Sequence, residues 1–522
     1  MNQLKTLPIG DSSFESIRMN NCLYVDKTKH IYKLIKKGKY YFLSRPRRFG
    51  KSLTISTLKA LFEGKKELFD GLWISNSLNW DWKEYPIIGL DFNEITCDTP
   101  ENLKVNLSKR LENIAQLYNI ELKKTFLKEQ FKELIQLLYQ KNGTQVVVLI
   151  DEYDKPIIDF LGKGQDLLDI ARKNRDILKD FFGVTKGMDV SNLLRFVFIT
   201  GVSRFSRVSI FSELNNLKDI TMNEDYSDML GYTQEELESN FFSYLSEFAK
   251  KRNEPIINLL SKLKQQYNGY RFSSRDIKVY NPFSILNSMD EYNFKNFWFE
   301  TGTPTFLVNL LNKSNWYLPT IENMQSTESE FSAYEIEKLQ PEALLFQTGY
   351  ITIKSIIGRL YTFDYPNLEV KTSFLEILFK SFMKDKRKTS HFVLLADYLQ
   401  EGKIDSFIET LEAIFASIPY QLETKRDEAY YHTLFYLMVC ASGINATSEV
   451  SDCTGRIDLV MKFADKIYII EFKCNQSADN ALEQIRKKGY DRQFKHTEKK
   501  IIKMGINFDT DKRNIGEWKI EE

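Results

Sequence analysis

At 522 residues the chain is too long for one ordinary core, and it is expected to fold as about three domains, or as two large ones with a connecting segment. Hydrophobic residues at 43% and charged residues at 27%, with 38 Phe and 27 Tyr, exclude an intrinsically disordered chain. Lys and Arg total 72 against 71 Asp and Glu, so no whole-molecule field draws the protein to polyanions, and a nucleic-acid site has to be a local patch.

The N-terminal stretch MNQLKTLPIGDSSFES lacks an apolar signal core, and aliphatic runs such as VVVLI are too short to span a bilayer. Five scattered cysteines (Cys22, Cys97, Cys440, Cys453 and Cys474) form no CxxC pair, and the four His residues add no metal-ligand spacing. A reducing, cytoplasmic setting with no membrane contact is the expectation.

The first half alternates strands and helices: YYFLS as a strand, SLTISTLKALFEG as a helix, YPIIGLDF as a strand, residues 101–142 as two helices, then TQVVVLIDEYD and LRFVFITGVSR as strands. That alternation predicts a parallel sheet covered on both faces, an α/β fold. Residues 233–420 read as mainly helical, through QEELESNFFSYLSEFAK, SILNSM, FLVNLLNK and DSFIETLEAIFASI, with a polar interruption ENMQSTESEFSAYE and a hairpin-like pair GYITIKSI and LYTFDY. Residues 421–522 read as a compact α-β-β-β-α-β unit. The expected domains are therefore 1–232, 233–420 and 421–522.

SRPRRFGKSL follows the first strand and opens the first helix, the context a phosphate-binding loop requires. Backbone N–H groups of Arg47, Arg48, Phe49 and Gly50, with the helix N-terminus, would surround the phosphates of ATP. Lys51 would reach the β and γ oxygens, and the Ser52 hydroxyl would ligate Mg²⁺. Arg45 stands where the first glycine of GxxxxGK[ST] usually is; a plain surface turn is the alternative. In VVVLIDEYD, Asp151 and Glu152 arrive at the carboxyl end of a central strand, where ligands of parallel sheets bind. Asp151 would hold the Mg²⁺ shell and Glu152 would orient or deprotonate an attacking water, unless the two are only an acidic helix cap. At the end of FVFIT, Thr200 could sense the γ-phosphate. Arg204 or Arg207 beyond it could stabilise transition-state charge, or could be ordinary surface arginines.

Near the C-terminus, GRIDLV carries Asp458 and IIEFK carries Glu471 and Lys473, joined by a tight turn at KFADKI. Residues i and i+2 of a strand share a face, so Glu471 and Lys473 project together and Asp458 on the partner strand can meet them. Two carboxylates and an ammonium on one face suit Mg²⁺-dependent phosphodiester hydrolysis, with Mn²⁺ as an alternative metal; a cross-strand salt bridge is the bland reading. Glu428 on the preceding helix and Gln484 on the following one could complete the set, as metal ligand and as holder of substrate or lysine. Further on, RKKGYDRQFKHTEKK interleaves cations with Tyr490, Phe494 and His496, which suits a nucleic-acid backbone and unstacked bases, or else a solvated helix face.

Together, YVDKT (Tyr24–Thr28), SRPRRFGKSL, LIDEYDKP and ITGVSRFS resemble a bacterial AAA-ATPase-like domain, and the C-terminal part resembles the PD-(D/E)XK nuclease superfamily. The resemblance implies a P-loop NTPase-like domain with Lys51, Ser52, Asp151 and Glu152 at its site, and a nuclease domain with Asp458, Glu471 and Lys473. Arg45 is how the family's motif usually reads, Ile457 replaces the superfamily's proline, and Glu428 and Gln484 fall at its helix positions. The expected function is an ATPase fused to a metal-dependent nuclease, with ATP gating access of nucleic acid, DNA ahead of RNA. The alternative is a nucleotide-switched binding module with an inactive nuclease fold. A remodelling machine would need a homo-oligomer with Arg204 or Arg207 donated across its interface.

Overall fold

Four short apolar runs, β1 (Tyr40–Ser44), β2 (Ile87–Asp91), β3 (Val146–Asp151) and β4 (Leu194–Gly201), and the two-residue polar strand β5 (Lys218–Asp219) pair in the order β2-β3-β4-β1-β5. Every pairing is parallel. All of β3 is buried, as expected of a central strand covered on both faces, and the helices Lys51–Phe62 and Leu127–Asn142 pack on it. In this computed structural model the described residues are 4–76, 80–204, 216–298, 321–332, 341–382, 394–416, 427–451 and 455–522.

Residues 101–142 form two helices, as their periodicity predicts. Pro100–Leu117 starts on a Thr99 cap with Pro100 in its first turn, and Leu127–Asn142 ends at Gly143 in the left-handed region, φ 64°. The stretch read as one helix from Gln234 is two, Gln234–Asn240 and Phe242–Arg252, because the chain leaves helical geometry at Phe241. Thr233 and Glu236 form a capping box at its start, and Glu236 also takes Lys27 at 2.6 Å. The expected SILNSM helix is Pro282–Glu291. Leu7, Leu23 and Val25 share a core with Leu237, Leu245, Phe248, Leu263 and Ile285, so these helices bury their apolar faces against the N-terminal segment. FLVNLLNK lies outside the described residues.

Two units divide the chain: Met1–Thr301 with Ser326–Tyr361, and Gly302–Gln325 with Thr362–Glu522. The chain passes between them near β6 (Gln325–Thr327), β7 (Thr352–Ile357) and β8 (Leu360–Asp364), the last two at the places expected for a hairpin. In the second unit, helices Leu368–Phe382, Leu395–Glu401 and Ile404–Ala416 precede helix Glu428–Ala441. Then follow β9 (Ala446–Ser451), β10 (Arg456–Lys462), β11 (Lys466–Cys474), helix Ala478–Lys488, β12 (Lys500–Asp509) and β13 (Asn514–Glu521). The sheet order is β13-β12-β11-β10-β9, with β11 and β12 parallel and the other pairs antiparallel. The α-β-β-β-α-β order holds, and β13 is an addition. Its sequence NIGEWKIE is too polar to announce a strand, because it pairs on one side only and faces solvent over much of its length.

Candidate active sites

The carboxyl end of β1 runs into Arg45–Gly50, and the helix Lys51–Phe62 begins at once. Gly50 caps that helix at φ 91°, a conformation only glycine takes without strain, and a Cβ there would meet nothing within 4 Å. Arg48 is also left-handed, φ 69°. A turn of this kind before a helix N-terminus points backbone N–H groups at an anion. Phe49 pins the loop from below, its ring 4.8 Å from Tyr270 and 5.4 Å from Phe272, while Arg47 and Arg48 are exposed. The Arg48 guanidinium lies over the Phe283 ring at 4.5 Å.

Arg45 does not face this loop's outer side. Its guanidinium is fully buried, donating to the carbonyl oxygens of Ser44 (2.9 Å), Thr221 (2.6 Å) and Tyr226 (3.3 Å), and it lies over the Phe272 ring at 4.2 Å. Burial lowers its pKa to about 9, against a smaller opposing effect of Asp219. The residue in the first-glycine position thus serves as an internal strut, tying the loop to residues 221–226.

Lys51 Nζ is buried, donates to the carbonyl oxygens of Arg45 (3.2 Å) and Pro46 (3.3 Å), and stands 3.3 Å from Glu152 Oε1. Asp151, the last residue of β3, is buried and within hydrogen-bond reach of Ser52; burial pushes its pKa up to about 6 despite that hydroxyl. Glu152 is left-handed at φ 50°, an uncommon backbone for a non-glycine residue and one that recurs at functional sites. A cleft of about 580 Å³ opens beside Ser52 and Asp151, with Lys59 and Asp91 also in its wall. Thr200, at the end of β4, has a buried hydroxyl without a hydrogen-bond partner. An open cradle at Gly50, a serine beside a buried aspartate and an orphan hydroxyl fit a metal-bound nucleotide.

One residue differs in placement from the rest. Arg204 pairs with Asp219 and donates to the Ser332 carbonyl oxygen at 3.2 Å, so it is held by its own unit's side chains and main chain. Arg207 lies outside the described residues. One residue escaped the sequence reading: Asp154 is fully buried and accepts the backbone N–H groups of Val202 (3.1 Å) and Ser203 (2.5 Å), and burial raises its pKa. The fourth letter of DEYD is the only signal for it.

The second constellation assembles on β10 and β11. Asp458 Oδ2 accepts the Phe472 N–H at 2.8 Å, Lys473 Nζ is 3.3 Å from Glu471 Oε1, and Gln484 donates to that same Glu471 oxygen. Phe472 points the other way, into a cluster with His432, Phe435 and Phe508, which anchors the alternation. Burial raises the pKa of both Asp458 and Glu471; Glu428 adds to both, the Asp458 charge adds to that of Glu471, and Lys473 opposes the rise in each. Glu428 opens its helix on an Asp427 cap, so all five sequence-picked residues are brought into one electrostatic neighbourhood.

Two more residues belong there. On β9, Glu449 lies in register opposite Asp458, between the pairs Ile457–Val450 and Leu459–Ser448, with a left-handed φ of 56°. It pairs with Arg456 and, at 3.9 Å, faces His432 Nδ1. Glu428, His432, Glu449, Arg456 and Asp458 line a cleft of about 380 Å³; Asp458 is the residue shared with the Glu471 group. Burial lowers the His432 pKa to about 4, so the imidazole is neutral at physiological pH. A strand glutamate beside a turn carries no motif, which is why pattern reading passed over Glu449.

Among the described residues, no three His, Cys, Asp or Glu side chains stand close enough together to hold a metal ion as they are. Glu471 Oε2 is nonetheless buried without a partner, beside a second carboxylate that repels it. That donor set fits a divalent cation as the missing counter-charge.

The basic stretch after Gln484 is corrected by the structure. Tyr490 and Phe494 belong to a core with Ile457, Ile469 and Ile485, so they are not available to stack on bases. Several of its cations pair with nearby carboxylates, Arg486 with Glu521, Lys487 with Glu483 and Lys500 with Glu522. The solvated face is the reading that stands.

Among the described residues, no helix is long and apolar enough to cross a membrane. A family model described as a predicted AAA-ATPase matches residues 8–211, and one described as the PD-(D/E)XK nuclease superfamily matches residues 426–518. Over 533 aligned positions the chain is 36% identical to a protein of Azotobacter chroococcum mcd 1 named "Uncharacterized protein in vnfD 5'region", covering 99% of each chain.

Proposed function

The chain belongs to the family that joins a predicted AAA-ATPase domain to a PD-(D/E)XK nuclease superfamily domain, and from that premise we propose that it binds and hydrolyses ATP and cleaves nucleic-acid phosphodiesters, with ATP state gating cleavage. The observation that carries the reading is the meeting of Asp458, Glu471, Lys473 and Gln484 on one sheet face, in a chain that also holds a loop and acidic strand end suited to a nucleotide.

At the nucleotide site, backbone N–H groups of Arg47–Gly50 and the helix N-terminus would surround the phosphates, Lys51 would turn to the β and γ oxygens, and Ser52 and Asp151 would hold Mg²⁺. Freed from Lys51, Glu152 orients the attacking water and accepts its proton. Thr200 supplies a hydroxyl to the γ-phosphate. At the nuclease site Asp458 and Glu471 would hold Mg²⁺ or Mn²⁺, and Glu428 would support them. A divalent cation bound there would supply charge neutralisation and acidify water. Lys473 would position the nucleophilic water against the scissile phosphate, and Gln484, donating to Glu471 Oε1, holds the orientation of that carboxylate. DNA is the substrate favoured over RNA.

The test is cleavage of labelled single- and double-stranded DNA and RNA by the full chain in Mg²⁺ or Mn²⁺, with and without ATP, beside Lys473→Ala and Lys51→Ala. Cleavage that Lys473→Ala abolishes and Lys51→Ala uncouples from ATP supports the proposal. Intact substrate throughout, with ATP still bound, favours the nucleotide-switched binding module, for which the closed Lys51–Glu152 pair is the supporting observation.

A further inference from the structure

Glu322 and Lys371 lie outside both matched spans, yet they form a buried charged pair within the nuclease-bearing unit. Lys371 Nζ is 2.5 Å from Glu322 Oε1, and their side chains are 12% and 4% exposed. The partners of the pair are what matter. Glu322 Oε1 also accepts the Tyr436 hydroxyl at 2.7 Å, and Oε2 accepts the backbone N–H of Ser448 at 3.1 Å. Lys371 donates to the backbone oxygen of Ala446 and lies over the rings of Tyr365 (5.9 Å) and Tyr436 (5.7 Å).

Both ions therefore grip the main chain of β9, at 446 and at 448, and the helix whose first residue is Glu428. The next residue after Ser448 is Glu449, which turns into the carboxylate cleft with a left-handed φ of 56°. A non-glycine residue keeps such a conformation only where its surroundings over-determine it. Ser448 is held from its other side too, its hydroxyl 3.3 Å from His432 Nε2. The anchor itself is fixed: Asn323 N–H donates to the Phe363 carbonyl oxygen at 3.0 Å, and Phe363 N–H donates to that of Met324 at 2.8 Å.

We propose that Glu322 and Lys371 are positioning residues of the nuclease cleft: by clamping β9 at Ala446 and Ser448 they set Glu449 opposite Asp458, so the nuclease domain is completed by chain upstream of the matched span. This rests on the nuclease reading above for its catalytic consequence, and on the geometry alone for the clamp.

The experiment uses the full chain with Glu322→Ala, Lys371→Met and the charge-neutral pair Glu322→Gln with Lys371→Met, which keeps an acceptor for Ser448. Two quantities are read: hydrogen exchange of amides 446–451 against those of β11 and β12, and DNA cleavage as kcat and as half-saturating Mn²⁺. The expected result is a selective rise of exchange in β9 in each single variant, a cleavage loss or Mn²⁺ shift of about tenfold or more, and recovery of both in the neutral pair. Exchange that stays at the wild-type rate in β9, or rises equally across β11 and β12, overturns the clamp. If a single variant does not fold, a neutral pair that folds with β9 protected supports it, and one that folds with β9 exposed or fails to fold overturns it. Wild-type protein that cleaves nothing while the β9 result holds would sink the nuclease reading and leave the clamp standing.

Discussion

Lys51 Nζ and Glu152 Oε1 stand 3.3 Å apart, with Lys51 also bound to two backbone carbonyl oxygens. The cation that should meet phosphate and the carboxylate that should activate water hold each other. The three N–H donors of the ammonium already face these three oxygens, so a phosphate that meets Lys51 would have to displace one of them.

Lys51→Ala is expected to weaken binding of a fluorescent ATP analogue by at least about tenfold, about 1.4 kcal/mol. Glu152→Gln is expected to keep the affinity and lose turnover by about 10²-fold or more, the range of a missing general base. Titration and phosphate release check the two separately. Equal turnover in Glu152→Gln would remove Glu152 from the reaction.

Arg45→Gly restores the glycine of the general phosphate-loop pattern, yet it should damage this protein. It strips the buried carbonyls of Thr221 and Tyr226 of their donor. Each buried group left unpaired costs about 1–3 kcal/mol, so a loss of about 3 kcal/mol or more is expected in thermal or denaturant unfolding, with no gain in nucleotide affinity.

The pKa of Asp151 rises from 3.8 to about 6 in the fold, so between those values the folded protein holds a proton that the unfolded chain releases. Its contribution to stability is complete below pH 3.8 and is lost as pH rises through 6, about 3 kcal/mol in all. Mg²⁺ with ATP should stabilise the protein more at pH 7 than at pH 5, because at pH 5 a proton competes for the carboxylate. In Asp151→Asn both dependences should flatten, as read by thermal unfolding in EDTA and in Mg²⁺.

At the other site, burial raises both carboxyl pKa values and the Asp458 charge raises that of Glu471 further, a cost the metal-free fold carries whenever both ionise. Asp458→Asn should therefore raise the unfolding temperature in EDTA, more at pH 8 than at pH 5, while abolishing cleavage. A variant that is less stable at both pH values would contradict the repulsion. Gln484→Ala and Glu449→Ala should each slow cleavage by about 10–100-fold, as outer-shell partners do.

Much of both sites was legible because short motifs report local geometry. Gly50, Lys51 and Ser52 follow a strand and open a helix; Glu471 and Lys473 share a face because a strand alternates; Asp458 lies one tight turn away. Asp154, Glu449 and Arg45 were not legible in the same way. Their roles depend on what packs above them: the N–H groups of Val202 and Ser203, the register of β9 on β10, and the carbonyls of residues 221 and 226. The aromatics of RKKGYDRQFKHTEKK misled because composition shows their chemistry and not their direction; Tyr490 and Phe494 turn inward to close a core.

By itself the amino-acid order determined the alternation that makes a parallel sheet, the phosphate-loop and acidic-strand motifs, and the α-β-β-β-α-β order of the C-terminal unit. All of these depend on hydrophobic period and on neighbours a few residues apart. Only the tertiary structure decided that residues 233–420 are divided between two units, that Arg45 is an internal strut, and that Glu322 and Lys371 grip β9 from beyond the matched span. The last two come from burial and hydrogen bonding between residues about 50 to more than 170 positions apart, where a buried charge has to find its partner and no local pattern records which one it finds.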